Sequence, residues 1–160
     1  MHFPFLPVLS LAALLALPTT GIAQSHKPLP LLTPLPAERV APLQGERCTC
    51  AVVPAGRASR PLSFDTVLAS STAEEVRLVL DGREHELSNV RSKKIGRDWV
   101  NTYRGDGAVV TIRSREVPFA PTCANHPDPP SEGSCYAGEL RVSMDGGAPQ
   151  GRPIVQVCGC

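Results

Sequence analysis

Six cysteines constrain this chain more than any other feature, because four of them form two mirrored Cys-x-Cys pairs, Cys48-Thr49-Cys50 and Cys158-Gly159-Cys160. Residues two apart on a strand point to one face, so two such pairs on neighbouring antiparallel strands can meet. The preferred pairing is then Cys48 with Cys160 and Cys50 with Cys158. Cys123 and Cys135 are left to close a loop that contains Pro127, Pro129 and Pro130 and has no core of its own. Other connectivities stay open. Each bridge of this kind contributes about 2–4 kcal/mol, a useful supplement in a chain with only 4% aromatic residues.

Disulfides need an oxidising compartment, and the N-terminus reads as a route to one. Residues 1–23 contain no Lys, Arg, Asp or Glu, run apolar from Phe5 to Leu17, and end in Gly21-Ile22-Ala23. This is the pattern of a secretory signal cleaved before Gln24, and the run is too short for a spanning helix. No cysteine lies near the cleavage point, so no stable membrane anchor is expected once the signal is removed. Thirteen Arg against three Lys suggest a GC-rich genome, and a periplasmic or secreted bacterial protein is the expectation. Residues 24–46 carry Pro28, Pro30, Pro34, Pro36 and Pro42. Proline fixes φ and removes a donor, so this segment reads as a Pro-rich disordered leader that spaces the domain from its surroundings.

The remaining domain, residues 47–160, carries mostly strand signals. Thr49 to Val53 is short and β-rich. Val76 to Leu80 alternates, meets Asp81-Gly82, and can pair with Arg83 to Val90 through a tight turn. Ser71-Thr72-Ala73-Glu74 has the form of a capping box, but the β-branched Val76 and Val79 favour a strand. Trp99 to Tyr103 and Ala108 to Val117 form a second hairpin around Arg104-Gly105-Asp106-Gly107, with Val110 and Ile112 on one face. Glu139 to Met144 and Ile154 to Cys158 form a third around Asp145-Gly146-Gly147. The segment Leu62 to Leu68 can be a strand or a short helix. The expected fold is all-β, a small antiparallel β-barrel or sandwich stapled by disulfides, with little helix.

Several kinds of chemistry are disfavoured. Sixteen basic against fifteen acidic residues give a net charge of +1, which supports no nucleic-acid partner. There is no Gly-x-Ser-x-Gly elbow, His-Glu-x-x-His helix or phosphate loop, so no catalytic residue is assigned and the protein is expected not to be an enzyme. His85, between Glu84 and Glu86, reads as a surface histidine, and His126 as a loop residue. Two Cys-x-Cys pairs suit soft ions, and Cu or Zn carriage is a third reading; the sulfurs are expected in disulfides, so no metal ligand and no cofactor is assigned. Arg104-Gly105-Asp106, the tripeptide that integrins read, is what any tight turn favours here.

Residues 76–123 resemble part of the MliC/PliC family, periplasmic or lipid-anchored β-barrel inhibitors of c-type lysozyme. The shared order is Val76 to Leu80, Asp81-Gly82, Leu87, Val90 and Ser92, then Gly96 with Trp99, then Tyr103 to Ala108 before a strand ending near Cys123. In that family a Ser-Gly-x-x-Tyr loop and a Lys-Gly turn enter the lysozyme cleft. Ile95-Gly96-Arg97-Asp98-Trp99 stands at the first motif, with Ile for Ser and Trp for Tyr, and Arg104-Gly105 at the second. The resemblance implies an exported, non-enzymatic binding protein with c-type lysozyme or another envelope protein as partner. It implies a contact surface of Ser92, Lys93, Lys94, Gly96, Arg97, Arg104 and Gly105. The family's disulfide also implies Cys50 with Cys123, against the mirrored scheme. The competing reading is an exported structural or interaction module of the envelope that inhibits nothing.

Overall fold

Asp-Gly dipeptides turn the chain at three places, and together they set its architecture. Asp81 and Gly82 have φ of 50° and 75°, Asp106 and Gly107 of 49° and 75°, Asp145 and Gly146 of 46° and 74°. Two successive positive φ values match the twist of a tight hairpin, which is why Asp and Gly stand there. The computed structural model describes residues 30–41, 47–56, 66–119, 123 and 133–160. The signal segment, residues 24–29, the 62–65 part of the segment read as strand or helix, and His126 lie outside them.

The described residues form nine strands and a 3-10 turn at Ala37–Arg39: β1 (Leu32–Thr33), β2 (Thr49–Pro54), β3 (Ala69–Ser71), β4 (Glu75–Leu80), β5 (Arg83–Ile95), β6 (Asp98–Gly105), β7 (Ala108–Val117), β8 (Gly133–Met144) and β9 (Gln150–Gly159). The sheet order is β1-β4-β3-β2-β9-β8-β7-β6-β5, and β4 also pairs with β5. That pairing closes β2 to β9 into an eight-stranded antiparallel barrel. The three expected hairpins are β4–β5, β6–β7 and β8–β9, and their Asp-Gly turns share one pole because the strands alternate in direction.

Eight strands leave an interior just wide enough for side chains to fill. The filling comes from every second residue: Val52 of β2, Val76, Leu78 and Leu80 of β4, Leu87 of β5, Tyr103 of β6, Val110 and Ile112 of β7, Leu140 of β8 and Ile154 of β9. The alternate residues of the β2–β9 wall make a second cluster outside the barrel. There Ala51, Val53, Val155 and Val157 pack with Val67, Cys123 and Cys135, flanked by Val40, Val117 and Phe119.

All three disulfides follow the mirrored scheme, Cys48–Cys160, Cys50–Cys158 and Cys123–Cys135. Register explains the first two, since Cys50 lies opposite Cys158 and Thr49 opposite Gly159. The alternative of Cys50 with Cys123, implied by the family resemblance, is overturned, and no cysteine is free. Disulfides of this number belong to an oxidising, non-cytosolic environment. Among the described residues no helix is long and apolar enough to cross a membrane.

The Pro-rich leader departs from the spacer expected of it. β3 is three residues long and covers β4 only from Val76 to Leu78, and β1 takes up the same edge with Leu32 opposite Leu80 and Thr33 opposite Val79. The Leu31 amide donates to Asp81 Oδ1 at 2.7 Å, the Asp81 amide donates to the Leu31 carbonyl, and the Leu35 amide donates to the Val67 carbonyl. Leu32 and Leu35 are buried, at 7% and 1% exposure, while Leu31 is 59% exposed. The leader thus supplies the missing length of one barrel stave, and Pro34 ends the ladder because it has no amide to donate.

Leu35→Ala should therefore cost about 2–5 kcal/mol in denaturant unfolding, and Leu31→Ala less than about 0.5 kcal/mol. A leader that only spaces the domain would give two equal, negligible effects. A second expectation concerns Gly138, opposite Ser114 across β7–β8. A Cβ there would run into the Arg113 carbonyl oxygen and the Ser114 Cα, which are backbone atoms that cannot swing away. Gly138→Ala should destabilise by about 1–3 kcal/mol, read as a lower urea midpoint with unchanged slope.

Candidate functional site

β5 is 13 residues long, and β4 accompanies it only as far as Ser88 opposite Glu75. Beyond that point β5 pairs with β6 alone, through Ile95 opposite Asp98, so the two strands form an arm past the barrel wall. The arm begins at a bulge: Asn89 lies opposite Tyr103 and Arg91 opposite Thr102, which leaves Val90 as the extra residue. Asn89 holds this kink. Its Nδ2 donates to the Ala73 carbonyl at 2.8 Å and to Ser92 Oγ at 2.9 Å, and its Oδ1 accepts from the Arg91 amide at 2.8 Å.

Register then assigns the faces. Ser92 lies opposite Asn101 and Lys94 opposite Trp99, on the face that continues into the barrel lumen, whereas Lys93 lies opposite Val100 on the outer face. Gly96, with φ of 61°, and Arg97 make the tip. Lys94 Nζ sits 5.7 Å from the Trp99 ring centroid, within reach of a cation–π attraction. Arg39, Arg77, Arg113 and Arg141 are each paired with a carboxylate. Among the described residues Arg91, Lys93, Lys94 and Arg97 have no such partner and are exposed. Of the four exposed large apolar side chains among the described residues, three are here too: Val90 at 55%, Ile95 at 44% and Trp99 at 44%.

The seven residues expected to form one contact surface are divided by this geometry. Ser92, Lys93, Lys94, Gly96 and Arg97 share the arm. Arg104 and Gly105 end β6 at the other pole, roughly 23 Å away at ~3.3 Å per strand residue. Gly105 is there for packing, since a Cβ would approach Leu87 Cδ2 to 3.1 Å. Arg104-Gly105-Asp106 passes straight into the Asp106-Gly107 turn. Ser92 accepts from the Asn89 amide, so its hydroxyl serves the bulge.

Two features were not anticipated. His85 points into the barrel opposite Leu78 and is 9% exposed, so the surface position read for it is corrected: the alternation that turns it away from Glu84 and Glu86 turns it inward. Its Nδ1 has no hydrogen-bond partner, and Asp106 Oδ2 stands 3.8 Å away. The second is a cavity of about 390 Å³ beneath the arm, at the pole opposite the Asp-Gly turns. Both terminal disulfides, Trp99, Asn101, Ser114 and Gln156 line it. The signal for it lay in the alternation itself: Asn101, Ser114 and Gln156 each stand two residues from a buried inward side chain of the same strand, Tyr103, Ile112 and Ile154.

Tyr103 forms the floor. Its Oη donates to the Thr72 carbonyl at 3.1 Å, and burial pushes the phenol up to about 12. The folded state therefore holds this proton more tightly than the unfolded chain, and the associated stability, intact below about pH 10, is lost as pH rises toward 12. Of the two tyrosines, one should ionise with a midpoint near 12 in an absorbance titration, and Tyr103→Phe should remove that step. Among the described residues no group of three His, Cys, Asp or Glu could hold a metal ion. Comparison with protein-family models, curated proteins and solved structures found no match to the chain, so the resemblance to lysozyme inhibitors rests on the motifs quoted above.

Proposed function

We propose that this is an exported, non-enzymatic binding protein whose β5–β6 arm enters an acidic cleft on a partner, and that a c-type lysozyme is that partner in the periplasm or outside the cell. One observation carries the reading: among the described residues, the arm combines cations that have no carboxylate partner with three of the four exposed large apolar side chains. Contact surfaces join such features, an apolar centre with Trp or Arg and a charged rim that steers approach. A c-type lysozyme cleft is lined by the carboxylate pair that cleaves its glycan. Arg97 at the tip and Lys93 and Lys94 behind it are attracted to such a pair, and the bulge bonds of Asn89 keep the arm ordered before contact, which lowers the cost of binding. Arg104 and Gly105 take no part in this version of the contact.

A structural reading of the arm competes with it. Lysines and a bulge on an unaccompanied strand also prevent edge-to-edge association. The envelope-module reading has the neutral cavity in its favour. Copper or zinc carriage loses its soft donors, since all six sulfurs are in disulfides.

The direct experiment is lysis of bacterial cell walls by a c-type lysozyme in the presence of the purified, disulfide-bonded protein. Inhibition is expected, weakening as salt rises. Lys93→Glu with Arg97→Glu should weaken it at least about tenfold through reversed steering and lost contacts, while Arg104→Glu leaves it unchanged. Absence of inhibition at large molar excess, with the thermal midpoint intact, removes the lysozyme reading.

A further inference from the structure

We infer that the cavity at the disulfide pole is a binding site for a small uncharged saccharide. Its volume of about 390 Å³ falls within the range of ligand pockets. Among the described residues its lining carries no Lys, Arg, His, Asp or Glu. A charged ligand buried among these lining residues would meet no counter-charge in the wall itself, since Lys94, 5.7 Å from the Trp99 ring, is exposed on the arm above it, and the desolvation of an unpaired ion is costly. A fatty chain fits no better, because three polar side chains more than nine-tenths buried, Ser71, Ser114 and Gln156, line the wall and would be left without water or partner.

What the wall offers is an alternation of aromatic surface and neutral hydrogen-bonding groups. Trp99, Tyr103 and Tyr136 supply the first, and Asn101, Ser114 and Gln156 are among the second. A sugar ring has the matching construction, with C–H groups on its faces and hydroxyls around its rim. The hydroxyls of the serines and the amides of Asn101 and Gln156 can each donate and accept, as a sugar hydroxyl also can. The Cys50–Cys158 and Cys48–Cys160 bridges add fixed, uncharged wall on the β2–β9 side, so the site is formed before a ligand arrives. This site does not depend on the cations of the arm.

Trp99 is the single tryptophan of the chain and lines the cavity, so its emission reports occupancy. The disulfide-bonded protein is titrated with chitobiose and with cellobiose at up to millimolar concentration, with saturation-transfer NMR in parallel and laurate as the acyl-chain control. A saturable response to at least one disaccharide, unaffected by laurate, is expected. Asn101→Leu and Ser114→Ala, which remove hydrogen-bonding groups with little change of shape, should each weaken it about three- to tenfold with unchanged thermal midpoints. Lys93→Glu with Arg97→Glu should leave it intact, which separates this site from inhibition by the arm. The assignment is overturned if neither disaccharide gives a saturable response, if laurate binds in their place, or if both cavity variants bind as tightly as the parent.

Discussion

Everything in this fold depends on the seam where β2 meets β9. The other neighbouring strands of the barrel wall are joined by shorter connections, but this pairing brings Cys50 to Cys158 across a sequence separation of 108. Such a contact is made late and at high entropic cost, and without it the barrel becomes an open sheet with two bare edges. In the chain-entropy model a bridge over roughly 100 residues offsets about 4.7 kcal/mol of that cost. The Cys48–Cys160 bridge beside it, at a separation of 112, closes little additional chain once the first exists. Its entropic contribution is correspondingly smaller. The outer bridge instead forms part of the cavity wall.

The hairpins were legible because their information is local. Asp-Gly after an alternating run specifies a turn type, and the turn fixes the register of the strands it joins. The mirrored cysteines were legible for a related reason, since two residues of equal spacing on paired strands must share a face. The leader was not legible. Its part in the barrel consists of two paired residues and two buried leucines, too short for any period, and the need for it arises from the shortness of β3. Pro34 marks where the ladder stops, but in sequence the segment reads as a disordered spacer with no strand in it.

The candidate site was half legible, and the missing half was recoverable from the sequence. Lys93 to Arg97 and Arg104-Gly105 are near neighbours along the chain, but the expected strand Trp99 to Tyr103 lies between them. Two loops at opposite ends of one strand belong to opposite poles of a barrel, whatever their separation in sequence. For His85 the alternation gave the correct relation to its neighbours, and only the face was misassigned. The cavity needed the closed structure, because Ser71, Asn101, Ser114 and Gln156 come from four strands that meet only when the seam is joined.

Val90 carries a consequence of a different kind. Before it, Leu87 and Asn89 face the lumen, and after it Ser92 and Lys94 do. In an unbulged strand the same alternation would bring Arg91, Lys93 and Ile95 to that face instead. One extra residue therefore functions as a parity switch, deciding which cations overlook the neutral cavity and which face outward. Change by insertion or deletion along this arm is not equivalent to change by substitution: the loss of one residue exchanges the two faces at a stroke while leaving every side chain chemically as it was.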